Sequence, residues 1–481
     1  MSRPANAEAA LALHRFGMGP RPGSIAAIAA DPRGALLAEL DRTPAGQLAA
    51  PGYPSSAKAY RTVNEANAKR QARAVVAKRE QDAARKQQMS DTTPPSASPE
   101  PDTAAMAARI AAEAVPDPGR QIYLDEARLR INAALGAEIG LVERLVWFWS
   151  NHFCISADKI QSMSGAYERE AIRPHVLGHF ADMLLAVEGH PAMLFYLDNL
   201  ASMGPNSIAG INRTRGLNEN MAREILELHT LGARSGYSQA DVIGFASVLT
   251  GWTLVPAGDN PEHGGEFTFN PRLHEPGGQT ILGKTYSSDD IEQGRAVLHD
   301  LAAHPATAAH IAAKLASAFV ADTPPPPLVE RMTRAFLDSE GDLKEIARVM
   351  ITSPEAWAEP PRKLKRPSEW VVSMVRTTGL TDVDPKRFTG GQALLGERLW
   401  RPPSPKGYPD DEASWIDGVG RRLDIANNFA ERLAERADPQ FIIETVLGSS
   451  VSPEVVQTVQ RAESRQQALA LLFMSPEMQR R

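Results

Sequence analysis

The sequence predicts a mainly α protein: a multi-helix domain with a small β-hairpin near residues 265–286 and a basic helical insertion. Aromatic residues make up only 6% of the 481 residues, while alanine and leucine are abundant, and this composition favours packed helices over sandwiches and barrels. Apolar residues recur with helical spacing from about residue 120 onward. A hydrophobic content of 43% with 23% charged residues fits a globular chain with a large core.

The first 57 residues are predicted to form an N-terminal helical segment of the main domain. Their apolar run is interrupted by His14 and Arg15 and carries no twin arginine, which is not typical of a secretory signal peptide. No stretch of the chain approaches the roughly 20 consecutive apolar residues that cross a bilayer. The sequence by itself therefore predicts a cytoplasmic protein without a transmembrane segment.

Residues 58–119 are predicted to be an insertion. The part from 58 to 86 is helix-prone and holds nine Lys or Arg against three acidic residues, a local surplus of six. Its large apolar residues do not follow a heptad repeat, so we expect a solvated surface helix or hairpin arm. The alternative is a basic arm that binds an acidic partner. Residues 90–102 are rich in Pro and Ser and predict an extended linker. The overall net charge of −6 predicts no specific binding to nucleic acid.

Residues 120–481 are predicted to form the main helical domain. Pro174 suits the first turn of a helix that stops at Gly189, and Ser238 is a candidate N-cap. In order, the periodicity predicts one long or two consecutive helices over 120–153, then helices over 173–189, 216–232 and 238–252, the hairpin over 265–286, two helices over 322–357, and further helices over 366–380 and 413–437.

The helix predicted over 216–232 carries an unusual density of polar residues. At about 100° per residue, Asn220, Glu224 and Glu227 fall within about 60° of one another, opposite an apolar face, with Arg223 beside Glu227. Two carboxylates three residues apart can share a cation or act as an acid and base pair. The same residues equally suit a solvated face with stabilising i,i+4 ion pairs.

His229 lies on the apolar face of that helix. Such a residue is usually a buried, hydrogen-bonded core histidine, and the alternatives are a metal ligand or a proton-transfer group. Two further histidines are candidate ligands: His152 follows the aromatic run "VWFWSNHF" beside Asn151, and His274 lies in the loop "NPRLHEPGG".

His175, His179 and Asp182 share one face of the helix predicted over 173–189. Two histidines at i,i+4 can chelate a divalent metal, although Val176 stands where the zincin signature requires Glu. A solvated face is the alternative. The single cysteine, Cys154, excludes an internal disulfide and is expected to be a buried small hydrophobe. There is no P-loop, no Rossmann glycine fingerprint and no nucleophile elbow.

Several stretches, taken in order, resemble the bacterial domain-of-unknown-function 1800 family. They are "VWFWSNHFCIS", "YEREAIRPHVLGHFADMLLAVEGHPAMLFYLDN", "NENMAREILELHTLG", "GYSQADVIGFASVLTGW", "FNPRLHEPGGQTILGKTY", "KLKRPSEWVVSMVRTTGL" and "PPSPKGYPDDEASWID". The resemblance covers most of the chain outside 58–119. Within it, the N-E-N, A-R-E and E-L-H elements fall on residues 218–220, 222–224 and 227–229.

The resemblance implies a mainly helical fold and a partner protein that is encoded by a neighbouring gene. Genes of the family often lie beside those of the domain-of-unknown-function 1501 family, whose members resemble sulfatases and often carry export signals. A sulfatase-like partner and a periplasmic or envelope location are therefore implied, although the chain shows no export signal of its own. Many members have a histidine just before N-H-F, and here that position is Ser150, which weakens the idea of a two-histidine site there.

Three functional hypotheses follow. The first is a hydrolase-like enzyme, assisted by a divalent metal, acting on an envelope polymer or ester. The second is a non-catalytic accessory or assembly partner of a sulfatase-like protein, and the third is a helical scaffold without a small-molecule site. The first assigns catalysis to Glu224, Glu227, Arg223, Asn220 and His229, and metal binding to His152, His274, Glu224 and Glu227.

Overall fold

The computed structural model describes residues 5–43, 46–90, 117–211, 216–233, 235–258, 260–358, 363–448 and 451–481. Within these residues the protein is mainly α, as the composition predicted, with two small antiparallel sheets. None of the helices described in these ranges combines the length and the apolar character needed to cross a membrane.

Residues 5–249 are helical along most of their described length. The helices are α1 (Ala5–Arg15), α2 (Ser24–Ile28), α3 (Pro32–Leu40), α4 (Ser56–Ser90), α5 (Pro118–Gly136), α6 (Leu141–His152), α7 (Ala157–Ile160), α8 (Ser164–Tyr167, continued by a π turn over Glu168–Ile172), α9 (Phe180–Glu188), α10 (Pro191–Tyr196), α11 (Asn220–Glu224, continued by a π turn over Ile225–His229) and α12 (Gln239–Leu249). The region 120–153 is thus two consecutive helices, α5 and α6, separated near Gly140, whose φ is +92°.

The second half continues the same architecture. Its helices are α13 (Ile291–Ala302), α14 (Pro305–Phe319), α15 (Pro326–Asp338), α16 (Leu343–Thr352), α17 (Pro367–Thr377), α18 (Pro385–Leu394), α19 (Val419–Leu433), α20 (Pro439–Ile442, continued by a π turn over Ile443–Leu447), α21 (Pro453–Gln460), α22 (Arg465–Phe473) and α23 (Pro476–Gln479). One hydrophobic cluster extends from Ala9 in α1 to Met478 in α23, so both ends of the described chain pack into the same core.

The strands lie between α12 and α13. They are β1 (Trp252–Leu254), β2 (Phe267–Phe269), β3 (Gln279–Ile281) and β4 (Lys284–Tyr286). The region 265–286 was expected to form one hairpin, but β2 pairs with β1, whereas β3 and β4 form the hairpin. The turn between β3 and β4 explains the difference, because Leu282 and Gly283 both have positive φ, as a tight two-residue hairpin requires.

The basic insertion begins as the 35-residue helix α4. Its N-terminal turns pack against α5 and the 3₁₀ turn Gln161–Met163, while the side chains described beyond residue 70 are almost all exposed. This is the solvated arm that the irregular spacing of its apolar residues predicted. The Pro/Ser-rich linker expected after it lies outside the described residues from 91 onward.

Two predicted helices differ in detail from the structure. Over 173–189, Pro174 belongs to a 3₁₀ turn (Arg173–His175), and α9 begins only at Phe180, because His179 makes a β-bridge with Asp342. Over 216–232, α11 widens into a π turn after Glu224, where the backbone N–H of Thr230 donates to the carbonyl oxygen of Ile225. The angle of 100° per residue therefore does not hold in the second half of this helix.

Candidate functional site

A cavity of about 510 Å³ lies between α6, α14, the start of α17 and the segment 400–411, here called the cavity loop. This volume falls in the range of small-molecule sites. Aromatic rings form much of its wall, from Trp147, Phe148, Phe319, Phe388 and Trp400. Charged groups from distant parts of the chain also reach it, which gives it the mixed apolar and polar character of a ligand pocket.

The amine of Lys314 is the distinctive charged group of this cavity. Lys314 lies in the Ala-rich helix α14, and its Nζ lies 2.9 Å from Nδ1 of His152 in α6. On the other side of the imidazole, Nε2 lies 3.1 Å from the carbonyl oxygen of His229. Because a carbonyl can only accept, Nε2 carries the imidazole proton and Nδ1 accepts from Lys314.

Burial changes the ionisation of both groups. Burial, reinforced by the nearby Lys314 amine, holds the pKa of His152 well below its usual value, so the imidazole is neutral at pH 7. Burial also lowers the pKa of Lys314 to about 8. Within the described ranges no carboxylate oxygen lies within 4.0 Å of its Nζ. An amine of this kind is a candidate base or nucleophile near neutral pH.

The end of α11 fixes the position of His152. The last carbonyl groups of a helix have no partner within it. Here His152 donates to the carbonyl oxygen of His229, and Nε2 of His310 lies 3.3 Å from the carbonyl oxygen of Leu228. The side chain of His229 is fully buried, as its place on the apolar face predicted, and its Nδ1 lies 2.7 Å from Oε1 of Glu188. The helix α11, whose polar residues made it a candidate site in the sequence, thus supports the cavity through the carbonyl groups at its C-terminal end.

Paired arginines surround the same cavity. Arg144 donates to Glu369 at 2.8 Å, Arg366 pairs with Glu397, and Arg130 pairs with Glu168 while its guanidinium lies 4.5 Å from the centre of the Trp147 ring. Although burial works against it, the guanidinium groups of Arg144 and Arg481 lower the pKa of Glu369 to about 2. These pairs keep several buried charges in place close to the cavity.

The cavity loop is attached to the end of α6 and to the residues just after it by two side chains. Asn151 donates from Nδ2 to the carbonyl oxygen of Tyr408 at 3.0 Å and accepts at Oδ1 from the Tyr408 N–H at 2.8 Å. The thiol of Cys154, buried as expected, donates to the carbonyl oxygen of Pro405 at 3.1 Å. Gly407 permits this close approach, because it has a φ of +83° and a Cβ there would overlap the carbonyl oxygen of Asn151.

The polar residues of α11 lie outside the cavity. Arg223 pairs with Glu219 at 2.8 Å, and Glu227 accepts from the hydroxyl of Tyr237 at 3.2 Å. Glu224 is half-buried and burial raises its pKa. Asn220 lines an open groove on the outer side of the cavity loop and donates to the carbonyl oxygen of Leu197 at 3.2 Å. The structure therefore does not bring this polar stripe together with the Lys314 amine.

The four predicted metal ligands are distributed over different environments. His274 lies in another region, where its Nδ1 is 2.8 Å from the carbonyl oxygen of Thr250. His152 uses both ring nitrogens in the hydrogen bonds described above. Among the residues that the structure describes, no three His, Cys, Asp or Glu side chains are grouped as a metal ion would require. His179 is bound to the carbonyl oxygen of Glu340 at 3.3 Å and lies outside the helix that was expected to hold it with His175.

Residues 11–480 match the model of the family described as "Protein of unknown function (DUF1800)". The chain belongs to the DUF1800 family. The match covers the residues on which the sequence resemblance rested and includes the insertion. Neither the comparison with curated proteins nor that with solved structures finds a match.

Sequence reasoning missed the central residue of this DUF1800 cavity. Lys314 is a single cation among Ala312, Ala313, Leu315 and Ala316, in a helix whose other face packs into the core. A long charged side chain in so apolar a stretch was the available signal, together with His310 one turn earlier. The contact with His152 spans 162 residues and is visible only in the folded protein.

Proposed function

We propose that the protein is an enzyme whose reaction takes place in the cavity, with Lys314 as the proton-transferring group and an anionic molecule as substrate. The observation that supports this most is the Lys314 amine itself. It lies in a cavity of ligand size, close to its titration point at neutral pH, with a neutral imidazole as its one hydrogen-bond partner among the described residues. A purely structural lysine would gain more from a carboxylate partner.

The surrounding residues have defined roles in this proposal. His152 is a positioning residue, because its Nδ1 accepts one N–H of the lysine and orients the amine. Arg144 and Arg366 supply positive potential towards an anionic group, and the aromatic wall excludes water from the rest of the ligand. In the hydrolytic version, neutral Lys314 removes a proton from the attacking water and returns it to the leaving group.

Binding of small anions tests this proposal. Phosphate, sulfate and 4-carboxybenzyl alcohol are added to the protein at pH 7, and the melting temperature is recorded. A molecule that binds only the folded state raises that temperature. We expect at least one probe to do so in the wild type, and the shift to be lost in Lys314→Met but kept in the surface variant Lys344→Met. If no probe shifts the wild type, or if Lys314→Met keeps the full shift, the proposal is wrong.

A divalent metal belongs to an alternative version of the enzyme proposal, in which His152 binds the metal instead of orienting Lys314. Glu224 and Glu227 are its proposed ligands with His152 and His274, and a local rearrangement would have to bring these residues together. Metal content is measured in purified protein and in Glu224→Gln. A stoichiometric metal that is lost in the variant supports metal assistance. An equal metal content in both proteins removes Glu224 from the set of ligands.

A second candidate function is that of an accessory partner, and an exposed apolar surface favours it. Val419 and Leu423 lie one turn apart on α19, Ile416 precedes them, and all three are exposed. Exposed Leu394 is joined to this surface, because Arg421 donates to its carbonyl oxygen at 3.1 Å. Exposed apolar side chains that adjoin one another are typical of protein contacts.

The proposed partner is a sulfatase-like protein of the 1501 family, and the proposed location is the cell envelope. Co-expression with such a protein from the same genome, followed by size-exclusion chromatography, tests the contact. A complex that is lost in Leu423→Asp and kept in Leu337→Asp, a change at an exposed leucine elsewhere, supports this function. Separate elution of the two wild-type proteins contradicts it.

A further inference from the structure

We propose that Lys314 forms a covalent imine with a small carbonyl compound that carries an anionic group, such as a keto acid or an aldehyde acid. This inference rests on the proposed function and names its substrate class. It makes Lys314 a nucleophile, where the proposed function requires only proton transfer. Amines in buried, weakly solvated sites are the usual imine-forming groups of enzymes.

The protein contains an internal comparison for this amine. Lys365 is also buried and its Nζ also lies close to a histidine, 2.8 Å from Nδ1 of His14. Lys365 additionally donates to the hydroxyl of Ser373 at 3.3 Å and to the carbonyl oxygen of Met478 at 2.9 Å, so its three N–H groups are all used. Lys314 has the histidine as its one partner among the described residues, and its side chain belongs to the cavity lining.

The histidine hydrogen bond orients the nucleophile. A neutral amine that donates one N–H to Nδ1 of His152 retains its lone pair and a second N–H for the cavity. In contrast, Lys365 lies outside the cavity lining and cannot present its nitrogen to a ligand.

The charges around the cavity select an anion. Its buried and half-buried lining contains four cations, Arg130, Arg144, Lys314 and Arg366, against the carboxyl groups of Glu369, Glu397 and Asp410, and Arg130 is also paired with Glu168 outside the lining. Burial raises the pKa of Asp410, whose carboxylate lies 3.2 Å from Nζ of Lys363. Since Lys314 loses its own charge when it forms a neutral imine, a fixed anion on the ligand is still attracted by the arginines.

The reaction is balanced without an additional reactant. The lone pair of Lys314 Nζ attacks the carbonyl carbon, a C–N bond forms, and the π electrons of the C=O bond move to oxygen. A proton leaves nitrogen and reaches that oxygen. The oxygen then leaves as water with the second proton of the nitrogen, and a C=N bond remains. Nothing is oxidised or reduced.

The test is reductive trapping on the wild-type protein. The probe is 4-carboxybenzaldehyde at pH 8 with sodium cyanoborohydride, and peptide mass spectrometry gives the rate of labelling at each lysine. We expect Lys314 to react at least tenfold faster than the half-exposed Lys344, and Lys365 to remain unlabelled. Benzaldehyde, which lacks the carboxylate, should label Lys314 at least tenfold more slowly. Equal rates at Lys314 and Lys344 overturn the imine, and equal rates with the two aldehydes overturn the anionic class.

A parallel binding measurement separates this inference from the function on which it rests. 4-Carboxybenzyl alcohol has the shape and charge of the probe but no carbonyl group. If it raises the melting temperature of the wild type while the aldehyde leaves Lys314 unlabelled, the imine is wrong and anion binding stands. If the aldehyde leaves Lys314 unlabelled and the alcohol, phosphate and sulfate all leave the melting temperature of the wild type unchanged, the proposed function is overturned together with the imine.

Discussion

Replacing Lys314 by Met should stabilise the protein at neutral pH, because a buried cation is removed from the cavity wall. The pKa of Lys314 is about 8, against 10.5 for an exposed lysine. The difference of about 2.5, at about 1.4 kcal/mol for each pKa unit, corresponds to about 3 kcal/mol of unfavourable free energy in the folded state. Met has similar length and fills the same space without a charge.

The pH dependence follows from the sign of this difference. The folded pKa lies below the unfolded one, so between pH 8 and 10.5 the unfolded chain binds more protons, and stability rises with pH. The unfavourable free energy of the charged Lys314 has its full value below about pH 8 and is absent above about pH 10.5. The variant also leaves Nδ1 of His152 without a donor, which costs about 1 kcal/mol. We therefore expect Lys314→Met to be more stable by about 2 kcal/mol at pH 7 and less stable by about 1 kcal/mol at pH 10.5.

Urea denaturation of both proteins at several pH values measures this difference. The matched control is Lys344→Met, which removes a half-exposed amine paired with Asp41 and should change the free energy of unfolding by less than about 1 kcal/mol. A stability difference between Lys314→Met and the wild type that is independent of pH would refute the reasoning, because it would show that Lys314 titrates as an ordinary lysine. Destabilisation at pH 7 would refute it as well.

Three further predictions concern the cavity loop and its attachment. Gly407→Ala should lower the free energy of unfolding by about 2 kcal/mol and make the loop sensitive to limited proteolysis, because the φ of Gly407 is +83°. The control Gly390→Ala, on the exposed face of α18, should leave the stability unchanged or raise it slightly. Equal proteolysis of the two variants would contradict this prediction. Asn151→Ala removes two hydrogen bonds to the loop and should also lower the free energy of unfolding by about 2 kcal/mol, as measured by urea denaturation. An unchanged urea midpoint would contradict it. Cys154, whose pKa burial raises to about 12, should resist iodoacetamide at pH 8 until the protein is unfolded, and rapid labelling of the native protein would show that the loop opens.

Local sequence patterns predicted much of the secondary structure because the interactions that form it are local. Ser238 caps α12 with a full capping box that includes Asp241, three residues away. Gly189 follows the end of α9 as predicted. The burial of His229 followed from its place among apolar neighbours, and the solvated face of α4 followed from the spacing of its apolar residues.

The candidate site was less accessible to sequence reasoning, because its contacts join residues that are far apart. The polar stripe of α11 attracted attention as a dense local pattern, yet its members pair with neighbours such as Glu219 and Tyr237. The π turn after Glu224 was also invisible in the periodicity. It depends on the 3.0 Å bond from Thr230 to Ile225, at the point where the helix end packs beneath His152 and His310.

The sequence by itself determined the class of fold, most helices and the burial of the single cysteine, since apolar periodicity and capping residues act within a few positions. Only the tertiary structure decided which polar groups meet. It joins Lys314 to His152 across 162 residues and Asn151 to Tyr408 across 257 residues. The physical reason is that a buried amine acquires its low pKa from the packing of all the walls around it, and no single segment of the chain contains those walls.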